Sequence, residues 1–273
     1  MTTEAAVRRR NNVRVLGRPD APVIVFAHGF GCDQGMWNRL LPHVVDDYRV
    51  VLLDHVGSGG SDADAYDSER YSTLDGYAAD LLEICTVMDL TDVTVVAHSV
   101  GAMMALTAAV REPGRLARLV LVAPSPYYLD DPADGYDGGF SRADVDGLLR
   151  SLETNYFAWA ASLAPMVMGN PGSPELAGEL TESFCRTDPD VARDFARVTF
   201  LSDCRHLLPE VTTPTLLLQC ADDLLAPPTV GRYLRSRIPG SELVELAATG
   251  HCPHVSAPLE TATVIRAYLG RPR

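Results

Sequence analysis

Val93-Thr94-Val95-Val96-Ala97-His98-Ser99-Val100-Gly101-Ala102 is the stretch that decides the fold. A β-branched apolar run climbs to a serine, a small-residue turn follows, and a helix-forming segment continues from Ala102 to Val110. β-Branched side chains suit a pleated strand, and alanine, leucine and methionine suit a helix. A serine between them reads as a nucleophile elbow, a strand-to-helix turn that holds the hydroxyl clear of both elements. Such a turn is tight, so the positions two before and two after the serine must be small. Ala97 and Gly101 meet that need, Ala97 standing where glycine is commoner. A serine hydroxyl is a weak nucleophile until a base takes its proton. The rest of the chain must therefore supply a base.

The bulk numbers set the frame. A chain of 273 residues fits one α/β domain with an insertion, and 47% hydrophobic residues are ample for a core. The net charge of −13 argues against a nucleic-acid-binding surface. No stretch approaches the ~18 consecutive apolar residues of a membrane-spanning helix. The opening residues Met1-Thr2-Thr3-Glu4 lack a secretory signature, and Arg8-Arg9-Arg10 leads into Asn11-Asn12 and no apolar segment, so a cytoplasmic location is expected. The cysteines at 32, 85, 185, 204, 220 and 252 form no C-x-x-C or metal-type cluster. They are expected to be reduced and mostly buried, with Cys252 beside a candidate catalytic histidine.

Strand and helix patterns alternate outward from the elbow. Val13 to Leu16, Val23 to Ala27, Val50 to Asp54, Val93 to Ala97, Leu116 to Ala123, Thr215 to Cys220 and Leu243 to Ala247 read as strands. Helices are expected over Gln34–Val45, Leu74–Met88, Ala102–Val110, Pro228–Ile238 and Pro258–Leu269. Continuous Val/Leu/Ile strands separated by helices indicate a mostly parallel, doubly wound sheet covered on both faces. The alternation breaks from about Ser125 to Arg205. That segment carries 14 Asp/Glu against 6 Arg and four helical patterns, at Arg142–Leu152, Tyr156–Val167, Glu175–Phe184 and Pro189–Leu201. The expected organisation is a core of residues 1–124 and 206–273 with a four-helix lid at 125–205.

A serine elbow calls for an acid and then a histidine on later strand-end loops. Asp222 and Asp223 follow the strand Leu216-Leu217-Leu218-Gln219. The acid of such a loop usually lies four residues before the proline, here Pro227, which selects Asp223. His251 follows Leu243 to Leu246 in the sequence Thr249-Gly250-His251. His254, His98 and His55 read as structural. The oxyanion donors are expected to be the amides of Val100, next after the nucleophile, and of Phe30 in the loop His28-Gly29-Phe30-Gly31.

His28-Gly29-Phe30-Gly31-Cys32-Asp33-Gln34, Tyr71-Ser72-Thr73-Leu74-Asp75-Gly76-Tyr77, His98-Ser99-Val100-Gly101-Ala102, Pro124-Ser125-Pro126, Gln219-Cys220-Ala221-Asp222-Asp223 and Gly250-His251-Cys252-Pro253-His254 together resemble the RsbQ-like α/β-hydrolases of bacterial stress signalling. More loosely, they resemble the plant strigolactone and karrikin receptors. The likeness runs from about Asn11 to Leu269. It implies the α/β-hydrolase fold, a helical lid over an apolar pocket, and a Ser99–His251–Asp223 triad that cleaves small esters or lactones. It also implies a partner, a PAS-domain serine phosphatase that activates a stress sigma factor.

The expected chemistry is acyl transfer through an ester on Ser99, with His251 as base and Asp223 orienting it, and with no metal or cofactor. Phe30, Tyr127, Phe157, Trp159 and Phe195 are candidates for the pocket wall, with Phe184 and Phe200 also available. Two rival readings stand beside this one. One is a ligand-binding receptor with slow or incidental turnover. The other is C–C bond hydrolysis or cofactor-free perhydrolysis on the same fold. A dehalogenase or epoxide hydrolase is disfavoured, because those reactions place aspartate at the elbow.

Overall fold

Seven strands build one sheet: β1 (Arg14–Gly17), β2 (Val23–Ala27), β3 (Arg49–Leu52), β4 (Val93–His98), β5 (Leu116–Val122), β6 (Thr215–Asp222) and β7 (Glu242–Thr249). Their order is β1-β3-β2-β4-β5-β6-β7, and every neighbouring pair is parallel except β1 with β3. The structure is a computed structural model that describes residues 3–271. Met1 and Thr2, part of the stretch read above for a secretory signal, lie outside the described residues, as do residues 272 and 273.

The two-residue alternation of a strand divides the core. Val23, Val25, Ala27, Val93, Val95 and Ala97 face a cluster shared with the helices α2 (Leu74–Val87) and α3 (Val100–Arg111). Ile24, Phe26, Val50, Leu52, Val96 and Val120 face the opposite cluster, with Trp37 and the last helix, Pro258–Leu269. Both faces of the central strands are dry, which is why they read as unbroken apolar runs. Before the sheet lies α1 (Glu4–Arg10), an element the sequence reading did not include.

The segment between β5 and β6 carries α4 (Arg142–Thr154), α5 (Tyr156–Met168), α6 (Pro174–Cys185) and α7 (Pro189–Leu201). Each has a local reason to start where it does. Ser141 and Asp144 form a reciprocal capping box at α4, Asn155 caps α5, Pro174 opens α6, and Asp188 with Pro189 opens α7. Their inward faces form a third apolar cluster with Tyr128, Leu225 and Cys252. After β6 come α8 (Pro228–Arg237), the short α9 (Pro253–Ser256) and α10 (Pro258–Leu269).

One expected helix is absent. Residues 34–45 form two short 3₁₀ turns, Gln34–Trp37 and Leu41–His43. Pro42 has no N–H to continue a helix begun upstream. The thiols are free, and all but that of Cys185 are buried. Among the described residues no helix is long and apolar enough to cross a membrane.

Candidate active site

Strand order places the site. The chain leaves β2 for β3 on one side and for β4 by way of β3, so the order reverses between β2 and β4. A crevice opens outside the carboxyl ends of strands at such a point. The register Ala27 beside Ala97 sets the loop His28–Gly31 next to His98–Ser99. A Cβ on Gly29 would lie 2.9 Å from Ser99 Cβ, so only glycine allows this approach. On the helix side, a Cβ on Gly101 would lie 2.3 Å from the His28 carbonyl oxygen. That contact is the physical reason for a small residue two positions after the serine.

Ser99 has φ 55° and ψ −126°. A non-glycine residue held there stores on the order of 1–3 kcal/mol of strain, which the surrounding packing must offset. Its Oγ is 2.8 Å from His251 Nε2 and 3.2 Å from the Tyr128 hydroxyl. His251 Nδ1 lies 2.8 and 3.0 Å from the two carboxylate oxygens of Asp223. Asp223 is itself buried and accepts from the amides of Leu225 at 2.9 Å and Ala226 at 3.1 Å. With Nδ1–H donating to the carboxylate, Nε2 is the acceptor that faces the serine. Asp222 is exposed and contributes its backbone carbonyl, which accepts from Gly250 N–H. The structure thus brings Ser99, His251 and Asp223 together and leaves the Asp222 side chain outside.

Phe30 sits in the loop after β2, and Val100 opens α3 directly after Ser99. The His28–Gly31 loop is braced from behind. His28 Nε2 accepts from the His55 amide at 3.0 Å, and His55 Nε2 donates to the His28 carbonyl at 3.0 Å. Burial pushes both imidazoles below their ordinary pKa, His55 well below, so both are neutral struts. His98 is neutral for the same reason, and its Nε2 donates to the His251 carbonyl at 2.8 Å. His254, pushed down to about 3 by burial, packs at a tilt between His98 and Trp37. Burial also pushes the Cys32 thiol up to about 12 and Cys252 well above its ordinary value. Both are protonated and weakly nucleophilic, so Cys252 carries no reactive thiolate.

The cavity above Ser99 is small, about 20 Å³, room for a water-sized group. Its walls include Phe30, Tyr128, Leu163, Phe184, Thr199 and Phe200. Of the five aromatic candidates for the wall, Phe30 lines it. Trp159 and Phe195 stand behind Phe30, with ring centroids 6.0 and 5.5 Å away. Tyr127 faces the other way, under the Arg205 guanidinium at 4.8 Å. Phe157 is 55% exposed on the outer face of α5. Tyr128, whose hydroxyl reaches Ser99 Oγ, is missing from the sequence reading. It sits in an irregular segment where no periodicity says which of two adjacent tyrosines turns inward. A larger depression of about 550 Å³ lies at the far end of the sheet, beside Tyr48 and Arg118, with no serine, cysteine or histidine among the described residues of its wall.

The model of the alpha/beta hydrolase family matches residues 24–264. The chain belongs to the alpha/beta hydrolase family. It is 40% identical over 253 residues to the Karrikin insensitive 2 receptor CA of Petunia hybrida, covering 92% of this chain and 93% of that one. It is 38% identical over 248 residues to Strigolactone esterase RMS3 of Pisum sativum, covering 90% and 92%. Among solved structures, the hydrolase olei00960 from Oleispira antarctica superposes with a TM-score of 0.95 at 41% identity, over 99% of this chain and 98% of that one. An enol-lactonase from Burkholderia xenovorans LB400 shares the fold, with a TM-score of 0.81 at 21% identity.

Proposed function

We propose that this hydrolase cleaves a small ester or lactone through Ser99, His251 and Asp223. The observation that carries the reading is the hydrogen-bonded chain from Ser99 Oγ through His251 to Asp223, on three strand-end loops around one cavity. His251 Nε2 takes the proton as Ser99 Oγ attacks the carbonyl carbon. The amides of Phe30 and Val100 receive the developing oxyanion, a donor of that kind being worth roughly 3 kcal/mol. Asp223 holds the tautomer and stabilises the imidazolium. The imidazolium then protonates the leaving alcohol. Water, deprotonated by His251, attacks the acyl-enzyme and releases the acid.

The helices α4–α7 act as a lid in this reading. A volume of about 20 Å³ holds no ester, so binding requires these walls to part. The relative named as a strigolactone esterase supports ester cleavage, and the relative named as a Karrikin insensitive 2 receptor supports binding of a ligand. The likeness to the RsbQ-like hydrolases extends the proposal to signalling, in which product or ligand-bound protein acts on a PAS-domain serine phosphatase. The test is turnover of p-nitrophenyl acetate by wild type and Ser99→Ala, with a fluorophosphonate probe. Wild type turns over and labels at one peptide containing Ser99; Ser99→Ala does neither. Undiminished turnover by Ser99→Ala removes the reading.

A further inference from the structure

The inward stripe of α7 is Ala192, Phe195, Ala196, Thr199 and Phe200, the i, i+3, i+4, i+7, i+8 pattern of an amphipathic helix. Thr199 is the polar member, 4% exposed, and it stands in the wall of the cavity over Ser99. A helical hydroxyl cut off from water ordinarily bonds the carbonyl one turn back. The buried Thr261 does so here, to Ala257 at 3.0 Å, as do the less buried Thr154, Ser162 and Thr181; the buried Thr107, Ser183 and Thr199 do not, and of these three Thr199 is the one that lines the cavity. Among the described residues Thr199 Oγ1 has no hydrogen-bond partner.

Two buried partnerless side-chain atoms belong to residues that line the cavity, Thr199 Oγ1 and His98 Nδ1. Backbone hems in the histidine atom, which lies 2.8 Å from where a Cβ on Gly29 would sit. Thr199 is therefore the free donor and acceptor at the cavity. A buried hydroxyl with no partner loses its hydration and gains nothing in return, whereas valine would fill the same space without that loss. A ligand oxygen removes the deficit.

Resting on the hydrolase reading above, we propose that Thr199 is a specificity-determining residue. It binds a second oxygen of the substrate, a hydroxyl, ether or carbonyl oxygen set apart from the scissile carbonyl. The neighbouring Phe200 ring packs 5.1 Å from Tyr128, whose hydroxyl is 3.2 Å from Ser99 Oγ. The substrate thus meets the nucleophile at one end, an aromatic wall in between, and a lone hydroxyl beyond. The class indicated is a small ester or lactone oxygenated at two points, in place of a plain hydrocarbon acyl ester.

The test uses p-nitrophenyl esters of matched shape: cyclopentanecarboxylate against tetrahydrofuran-2- and tetrahydrofuran-3-carboxylate. They differ by one ring oxygen for a methylene. In wild type the oxygenated-to-plain ratio of kcat/KM for the better tetrahydrofuran isomer should exceed that in Thr199→Val by about three- to tenfold. Thr199→Ser should keep the wild-type preference. The same esters are titrated calorimetrically into Ser99→Ala and Ser99→Ala/Thr199→Val. A binding preference that depends on Thr199 without turnover by wild type upholds this proposal and retires the hydrolase reading. Ratios equal across the three active proteins, or binding indifferent to Thr199, overturn it.

Discussion

Replacing Asp223 by asparagine changes one oxygen to an NH₂ and tests the whole chain from acid to nucleophile. The two amides of Leu225 and Ala226 hold Oδ1 as their acceptor, at 2.9 and 3.1 Å. An asparagine placed there keeps its carbonyl oxygen on those amides and turns its NH₂ toward His251 Nδ1. Nδ1 must then accept, so the ring proton moves to Nε2, the nitrogen 2.8 Å from Ser99 Oγ. A donor there cannot take the serine proton. The loss of both the tautomer and the charge that stabilises the imidazolium is worth about 10⁴-fold in kcat, the magnitude of the corresponding change in serine proteases. That is roughly 5 kcal/mol of transition-state stabilisation. Asp222→Asn changes an exposed side chain and leaves the backbone carbonyl on Gly250 intact, so its kcat should stay within about twofold. Both variants are assayed on p-nitrophenyl acetate near pH 8, with thermal unfolding to check that each is folded. Equal losses, or a larger loss in Asp222→Asn, would refute the tautomer argument.

Tyr128→Phe removes a 3.2 Å contact to Ser99 Oγ but not the base; kcat should fall less than about tenfold with fluorophosphonate labelling retained, and loss of labelling would make the tyrosine indispensable. Phe200→Ala opens the cavity wall and should shift the preferred p-nitrophenyl ester toward longer acyl chains, at a stability cost of about 3–5 kcal/mol measured by denaturant unfolding; Phe157→Ala, on the exposed side of α5, should leave the preference unchanged. His28, His55, His98 and His254 all have their pKa lowered by burial. Each binds its proton more readily unfolded than folded, so their contribution is present above about pH 6.5 and is lost as pH falls below it. Each contributes a slope of up to about 1.4 kcal/mol per pH unit until its folded pKa is reached. Unfolding free energies measured between pH 7.5 and 5 check this, and a flat profile would contradict it.

Where the sequence carried a period or a fixed turn chemistry, it could be read. The strands show as unbroken apolar runs because both faces of β2, β4 and β5 are dry. Asp223, His251 and Ser99 show because each sits at the end of such a run, in an order this fold imposes. The cavity wall was legible only in part, because inward-facing identity on α5 depends on which turn of the helix meets the core. Trp159 and Phe157 are two residues apart on a 3.6-residue helix, so they occupy nearly opposite faces, and composition alone does not choose between them. The same holds for Tyr127 and Tyr128. The helix expected over residues 34–45 failed because apolar spacing at Met36, Trp37, Leu40 and Leu41 is also what two successive 3₁₀ turns present.

The site divides into a fixed half and a half tied to the inserted helices. Ser99 and the His28–Gly31 loop are locked together by the close approaches at Gly29 and Gly101 and by the His28–His55 bracket, all anchored on the sheet. His251 is held differently. Its amide donates to the carbonyl of Val167 at the end of α5, at 2.8 Å, and Thr249 reaches the Gly169 carbonyl at 3.3 Å. A Cβ on Gly250 would lie 1.8 Å from the Met168 carbonyl oxygen, so the two segments are in backbone contact. His251 is therefore anchored on one side by Asp223 and on the other by a helix of the insertion. In the proposed hydrolase, widening the cavity by moving α5 would pull on the backbone of His251, whereas moving α7, which carries Thr199 and Phe200, would not act through that hydrogen bond. Ligand admission by α5 would thereby couple binding to the Ser99–His251 geometry, and admission by α7 would act on the nucleophile only through the Phe200–Tyr128 contact.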